Sequence, residues 1–360
     1  MVFSRHSSVV EHVIGNDGAA SSILAGGTIR LFIKRDLRLF QRFFISFMPR
    51  LSETYLAGIF CVILATFGFA SQGIVVKFLF LQHTSIMSIL LLRKMLFLPL
   101  YWLFSRKLFL SEKNNISARH KTISFAAGIF GYYLAPFSSL HALQLIGAGI
   151  ERIILYCFPA LVILLQSLLN RKMPSIPYLI VFLIIQGGIY FVIGGTNREA
   201  ISTNDLHGAL WSLSGALCFS IYVVCNQKMV RYMSTTTFIL YALCGAFVAV
   251  LCHFFLSEPF SSLQLSAQAW AYIAAFALLC TFVPVFMFSI AVKRIGSEKA
   301  SIISMLSPFL TVIFAYLFLG ETLTSHQILG GAAIILSILL LETRGFGFLR
   351  KKNRLMLYRA

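Results

Sequence analysis

Four ionisable side chains lie inside apolar stretches of the 360-residue chain. Arg93 and Lys94 are neighbours in SIMSILLLRKMLFLPLYWLF, and Glu151 and Arg152 open another apolar stretch. A Lys or Arg at the bilayer centre costs about 2.5–3.5 kcal/mol on insertion scales, so it usually faces a cavity or a partner. Neighbours on a helix point about 100° apart, so only one of the two cations can face a common centre. We expect Arg93 to face a solute cavity and Lys94 to snorkel or pair.

Glu151 and His141 are the candidates for coupling transport to a titratable group. A first-turn acid such as Glu151 favours helix capping and dipole complementarity, but the carboxyl group could instead take up a proton or counter Arg93. His141 could titrate near neutral pH, although a lone histidine is more often a hydrogen-bonded packing residue. Lys77 ends the first apolar stretch and is expected to snorkel rather than to bind.

Aromatic and amide side chains on two further apolar stretches could line a pocket. These candidate substrate-binding residues, which join Arg93 and Lys94, are Tyr132, Tyr133, Trp211, Tyr222 and Asn226. Small-solute sites have apolar and aromatic walls with a few polar groups. Each residue could equally be a packing or membrane-interface residue, so the pattern indicates a pocket without proving one.

Two prolines within apolar stretches, Pro159 and Pro308, remove backbone hydrogen bonds and predict kinks that could act as hinges. No phosphate loop GxxxxGK[ST], zinc motif HExxH or nucleophile motif GxSxG is present. Seven cysteines all lie in apolar stretches without a CxxC pair, which favours packing over disulfides or metal. We therefore expect no catalytic residue, no cofactor and no metal, so any transport must draw on a gradient.

The elements that carry these residues are predicted to be membrane helices. Hydrophobic residues make up 58% of the chain, charged residues 12%, and the mean hydropathy is +0.85. A water-soluble protein could not bury this much apolar sequence and still cover itself with a polar surface. A spanning helix needs about 20 apolar residues. Ten stretches qualify: 56–80, 85–104, 123–143, 148–169, 178–195, 208–230, 235–256, 267–291, 300–319 and 327–341. The protein therefore has the bilayer as a partner, and its net charge of +18 indicates orientation, not nucleic acid.

Lysine and arginine alternate between the loops. Of the 30 basic residues, 25 lie in the segments before the first helix, between helices 2–3, 4–5, 6–7 and 8–9, and after the tenth. Loop 2–3, for example, holds Arg106 and Lys107, whereas the opposite loops hold only Arg198. The positive-inside rule then places both termini in the cytoplasm of an inner-membrane protein.

The chain also repeats itself. HALQLIGAGIERIILYCFP at 141–159 aligns with IAVKRIGSEKASIISMLSP at 290–308, a shift of 149 residues that matches an Ile-Gly, an Ile-Ile and a Pro. A unit of five helices is odd in number, so its second copy must enter the membrane upside down. Inverted repeats that meet at mid-membrane are a recurring transporter design.

Residues 1–50 form a separate basic cytoplasmic segment. Residues 29–49 mix Arg and Lys with Phe, Leu and Ile, as an interfacial amphipathic helix does. The alternative that translation starts at Met48 stays open. No clean apolar core with a cleavage site indicates a signal peptide.

These features together resemble the drug/metabolite transporter superfamily of the EamA type. The stretch 279–336, from LCTFVPVFMF to GGAAIIL, is similar to the family's second-repeat signature and includes Gly320-Glu321, while 142–164 is similar to the first-repeat version. The resemblance implies repeats at 56–195 and 208–341, a cytoplasmic tail at 342–360 and a cavity arginine such as Arg93. The aligned Arg171-Lys172 lacks the acid of the second repeat.

The sequence thus predicts an all-α membrane protein of two inverted five-helix repeats with alternating access. A cavity with excess positive charge favours a small polar metabolite with a carboxylate or phosphate, an amino acid or organic anion. Drug efflux is the alternative within transport, and a non-transporting membrane subunit or an intramembrane enzyme is the alternative of another class. A homodimer is one open possibility for assembly.

Overall fold

The computed structural model describes residues 55–171, 176–193 and 203–337, and these residues form helices without a strand. The basic segment 1–50 and the tail 342–360 lie outside the described residues. The helical segments, in chain order, are α1 (Tyr55–Ala70 and Gln72–Leu81), α2 (Ile86–Glu112), α3 (Ala118–Gly128, Ile129–Leu134 and Ala135–Leu145), α4 (Ala148–Leu155 and Phe158–Leu169), α5 (Ile176–Ile193), α6 (Thr203–Met229), α7 (Thr235–Ser257), α8 (Ala267–Ala277, Leu278–Phe282 and Val283–Ile295), α9 (Ser297–Ser304 and Ser307–Leu319) and α10 (Ser325–Ser337).

Seven of the described helices are long and apolar enough to cross a membrane, namely α1 to α4 and α6 to α8. Shorter apolar helices lie within α5, α9 and α10. The prediction of an all-α membrane fold is therefore confirmed. The predicted apolar stretch 85–104 lies almost wholly within α2, and the helix continues to Glu112 and carries Arg106 and Lys107 on its surface. Hydropathy detects only the apolar part of a helix, and α2 is longer than that part.

Serine residues begin four of the long helices. Ser85, Ser117, Ser234 and Ser266 each accept a hydrogen bond on Oγ from the backbone N–H three residues later, which satisfies one of the free N–H groups of a helix start. Ser85 and Ser234 are 149 residues apart, and so are Ser117 and Ser266. The repeat seen in residues 141–159 and 290–308 thus extends to the helix caps.

Interruptions of the helices follow the same offset. A π-helical turn begins at Ile129 in α3 and at Leu278 in α8, 149 residues apart. α4 breaks after Leu155 and α9 breaks after Ser304, again 149 residues apart. Broken helices are tolerated at membrane depth only where protein or a cavity satisfies the freed backbone groups. Both repeats therefore place irregular backbone at the same two positions.

Several contacts between helices of the two repeats have a counterpart between the equivalent helices. α6 packs on α3 and α4, while α1 packs correspondingly on α8 and α9. α7 packs on α3, as α2 packs on α8, and α2 also packs on α7. Glycines permit the closest crossing: a Cβ on Gly128 of α3 would overlap the carbonyl of Ala242 of α7, and one on Gly245 would overlap that of Phe125. Small residues allow such backbone approach between membrane helices.

Candidate functional site

Lys94 of α2 is a charged side chain buried in the protein interior. It is 2% exposed, and its Nζ lies 5.5 Å from the ring centroid of Tyr132 in the π-helical turn of α3. Within the described residues it forms no ion pair. The expectation that Lys94 snorkels is wrong, because its position on α2 faces the protein interior and not the membrane surface.

Two tyrosines extend this site across α3 and α6. Tyr222 donates a hydrogen bond from Oη to Oη of Tyr132 at 3.2 Å, and the rings meet edge to face at 5.0 Å. Tyr222 also lies against Gly131, where a side chain would collide with its ring. The two phenol groups and the Lys94 ammonium thus form a polar cluster between α2, α3 and α6, which we name the Lys94 site (Lys94, Tyr132, Tyr222).

Arg93 lies next to this site but points elsewhere. Its guanidinium carbon is 4.6 Å from the ring centroid of Phe276 on α8, and the residue is partly exposed. No carboxylate of the described residues pairs with it. Arg93 is seven residues from the start of α2 at Ile86, about 10 Å along the helix. The two cations diverge, as the helix geometry predicts, and Lys94 is the more enclosed.

Asn226 follows Tyr222 by one helical turn on α6. Residues four apart share a helix face. Its Oδ1 is buried and has no hydrogen-bond partner among the described residues. A buried amide oxygen without a donor is costly, and an ammonium or hydroxyl group of a solute is one kind of donor that could satisfy it.

The structure places the remaining aromatic candidates in a separate cluster. Trp211 stacks on His141 with centroids 4.7 Å apart, and Tyr133 Oη lies 2.5 Å from Nδ1 of His253. Phe137 joins them, with its ring 4.6 Å from that of His141. Tyr133, Trp211 and His141 are therefore not brought together with Lys94 by any contact of the described residues. Sequence reasoning missed His253, whose only signal was a histidine within an apolar helix.

Glu151 lies in the first turn of α4 and is 1% exposed. Ser139 of α3 donates a hydrogen bond to its Oε1, and Ser212 of α6 donates to its backbone carbonyl at 3.1 Å. Arg152 donates through Nη2 to the carbonyl of Phe69 at 3.0 Å. Glu151 thus joins three helices, and it forms no ion pair with Arg93 in the part of the chain that the structure describes.

Pro159 and Pro308 lie just after the two helix breaks, in the first turns of the second halves of α4 and α9. Proline fits a first turn because its missing N–H would have no helical partner there. Tyr156, at the α4 break, donates from Oη to the carbonyl of Ser304 at the α9 break, at 3.3 Å. The two interruptions therefore touch each other, which the sequence could not show.

Lys77, which is expected from the sequence to snorkel, has two polar neighbours in the structure. Its Nζ donates to the carbonyl of Ile146 at 2.9 Å and lies 3.9 Å from Oε1 of Glu321. Among the described residues no cluster of three or more His, Cys, Asp or Glu side chains could hold a metal ion.

Comparisons with known proteins agree with this arrangement. The chain is 28% identical over 298 residues to YcbK of Bacillus subtilis, named an uncharacterized transporter, covering 80% of this chain and 93% of that protein. It is 27% identical over 153 residues to the threonine/homoserine exporter RhtA of Escherichia coli K12, covering 41% of this chain and 48% of RhtA. A protein of known crystal structure has the same fold, with TM-score 0.50 and 15% identity over 79% of this chain and 96% of that one.

A family profile covers most of the chain in two parts. The EamA-like transporter family matches residues 56–194 and again residues 206–343. Both matches include the broken helices and the π-helical turns described above, and the relatives are named as transporters, not enzymes. The chain is thus a multi-pass membrane protein that belongs to the EamA-like transporter family.

Proposed function

We propose that this transporter moves a small solute with a carboxylate, an amino acid or organic anion, across the inner membrane by alternating access. The observation that carries the proposal is Lys94, a cation 2% exposed with no ion pair in the described residues. A buried charge is costly unless it is paired. A solute carboxylate would supply the missing counter-charge.

The surroundings of Lys94 suit a solute better than a structural partner. Tyr132 and Tyr222 bond to each other at 3.2 Å, so each hydroxyl oxygen keeps a lone pair, and the Tyr132 hydroxyl hydrogen is also free to reorient. Asn226 adds an unpartnered amide oxygen near the same face of α6. An ammonium group accompanying the carboxylate would find an acceptor there, which favours an amino acid.

Alternating access is supported by the repeated interruptions. α4 and α9 break at positions 149 residues apart and contact each other through Tyr156 and Ser304. Each break divides its helix into two shorter rods that can change angle without unfolding. We propose that the repeats are inverted, with both termini cytoplasmic, and that Pro159 and Pro308 permit the rocking motion.

The relatives give independent support for an amino acid. RhtA is named a threonine/homoserine exporter, and both amino acids carry a carboxylate and an ammonium group. The aligned region spans about half of RhtA, so threonine and homoserine are the first compounds to test and not the assigned substrates.

Thermal unfolding of the purified protein against matched solute pairs tests this proposal. A ligand that binds the folded state raises the unfolding temperature. We expect threonine, homoserine or an organic acid to stabilise the wild type, whereas the corresponding amides do not. Lys94→Gln should lose that stabilisation, while replacement of Lys228, an exposed basic residue of α6, by glutamine should keep it. Stabilisation by cationic drugs instead, lost in Glu151→Gln, would favour drug efflux and contradict the proposal.

A further inference from the structure

A polar cavity lies at one end of the helix bundle, and Lys94 is not among the residues that line it. It has a volume of about 580 Å3 and is lined by residues at the ends of α1 and α3 and in the turn before α2. We name it the Lys77 vestibule, and its polar lining includes Lys77, His83, Thr84, Ser85 and Gln144. Such a volume is sufficient for a small metabolite.

Two groups in the vestibule have unused hydrogen-bonding capacity. Thr84 is 4% exposed, and its Oγ1 is buried without a partner among the described residues. Lys77 has three N–H donors and donates one, to the carbonyl of Ile146 at 2.9 Å. Its carboxylate neighbour Glu321 is 3.9 Å away, which is too long for a hydrogen bond. Both groups can therefore donate to a further oxygen.

Glu321 already has a structural function on the other side of Lys77. Gly320, with φ of 68°, ends α9 and turns the chain so that the Glu321 carboxylate reaches the start of α4. There Oε2 of Glu321 accepts a hydrogen bond from the N–H of Gly149 at 3.5 Å. Glu321 thus caps α4 in place of its N-cap residue Gly147, which has no side chain. A Cβ on Gly147 would lie 2.7 Å from that oxygen, so the glycine permits the approach.

We propose that the Lys77 vestibule is a carboxylate-binding subsite, in which the carboxylate of a solute binds Lys77 and Thr84 and substitutes for Glu321 as the partner of Lys77. The proposal rests on the proposed transport of a carboxylate-bearing solute. Lys77 of α1 contacts the turn before α4 through Ile146 and the turn after α9 through Glu321. A solute that draws Lys77 toward the vestibule would therefore loosen the contacts of α1 with these two turns, which couples arrival of a solute to release of this end of the bundle.

Three other titratable groups lie near Lys77 or the vestibule. Glu151 acts electrostatically on Lys77, but its carboxylate accepts a hydrogen bond from Ser139 and does not line the cavity. Glu258 accepts a hydrogen bond from Ser85 at 2.9 Å, and Ser85 also caps α2. His83 lines the cavity together with Lys77. Lys77 is the lysine of that lining, so its removal should have the largest electrostatic effect inside the cavity.

The test measures charge selectivity inside the cavity without measuring transport. The purified full chain, with its seven cysteines replaced by alanine, receives a single cysteine at exposed Gln144, and the rates of modification by an anionic and a cationic thiosulfonate are compared. Lys77→Gln should change each rate about threefold in opposite directions, and so lower the anionic-to-cationic ratio about tenfold. Glu321→Gln should raise that ratio, and Lys77→Arg should preserve it as a folded control.

Protection measures the subsite directly. Sodium propionate should slow modification of Gln144→Cys, propionamide should not, and Lys77→Gln should abolish the protection. Ser261→Cys is the matched control, because Ser261 is exposed in the loop that packs near Ser88 at the same end but does not line the vestibule. Equal effects of propionate and propionamide, or a ratio unchanged in Lys77→Gln, would overturn the subsite. Failure of transport with intact propionate protection would instead count against the proposed function alone.

Discussion

Replacement of Lys94 by methionine should make the protein more stable and less able to bind its solute. Lys94 is 2% exposed and has no ion pair in residues that the structure describes. A lysine deep in a bilayer costs about 2.5–3.5 kcal/mol, and the contact with the Tyr132 ring at 5.5 Å offsets at most about 2 kcal/mol. Methionine has a similar length and no charge to desolvate.

The net gain in stability is therefore roughly 1 kcal/mol, which corresponds to a rise of about 1 °C in the unfolding temperature of a chain of this length. Removing one partner of a buried charge pair costs about 2–5 kcal/mol of binding, or about 30-fold to several-thousand-fold in Kd. The two effects have opposite signs, whereas a purely structural role predicts losses of both stability and binding.

Differential scanning fluorimetry and ligand titration of the same preparations measure both effects. Lys228→Met on the exposed surface of α6 is the matched control and should change neither. If Lys94→Met unfolds at a lower temperature than the wild type, the cation is held by a favourable structural partner. If it binds a carboxylate solute with unchanged affinity, Lys94 is not the solute's counter-charge. Either result refutes the reasoning.

Three further predictions concern packing, orientation and the N-terminal segment. Gly128→Ala should cost about 1–3 kcal/mol, because its Cβ would overlap a backbone carbonyl, whereas Gly187→Ala, with open space around it, should be tolerated; comparing yields of folded protein checks both. In intact cells, a cysteine at Ser261 should react with an impermeant thiol reagent and one at Arg231 should not, and the reverse pattern would contradict the orientation. Starting the chain at Met48 should leave insertion and transport intact, and loss of transport at normal abundance would show that residues 1–47 belong to the mechanism.

Much of the helical organisation could be predicted from sequence because its signals are local. A run of apolar residues identifies a spanning helix without any knowledge of its neighbours. The Pro159 and Pro308 match likewise predicted interruptions at equivalent positions of the repeats. The apolar stretch 85–104 does not indicate where α2 ends, because the polar residues up to Glu112 resemble a loop yet remain helical.

The direction of side chains could not be predicted in the same way. Arg93 and Lys94 differ by about 100° around α2, and the sequence alone does not say which direction is inward. Packing decides it: Lys94 faces Tyr132, while Arg93 lies over Phe276 of α8. Helix rotation depends on long-range contacts, such as the α3–α7 crossing at Gly128, that leave no local pattern.

Long-range polar partners were equally inaccessible. Lys77 and Glu321 are 3.9 Å apart although they lie in different repeats. Their pairing requires the left-handed backbone conformation of Gly320 and an N-cap residue of α4, Gly147, that has no side chain. The aligned Arg171 also has a positive φ, 51°, so the first repeat keeps the turn but not the acid. The sequence shows that the first repeat lacks a counterpart of Glu321. It could not show that Glu321 contacts Lys77 and Gly149.

Solute counterflow in proteoliposomes tests the central claim most directly. Vesicles that contain the purified protein and are loaded with unlabelled threonine, homoserine or an organic acid should accumulate the labelled compound without ATP. Lys94→Gln should abolish this exchange, and Lys228→Gln should exchange like the wild type. Wild-type exchange rates in the Lys94→Gln variant, or exchange of cations but no carboxylate-bearing solute, would contradict the account.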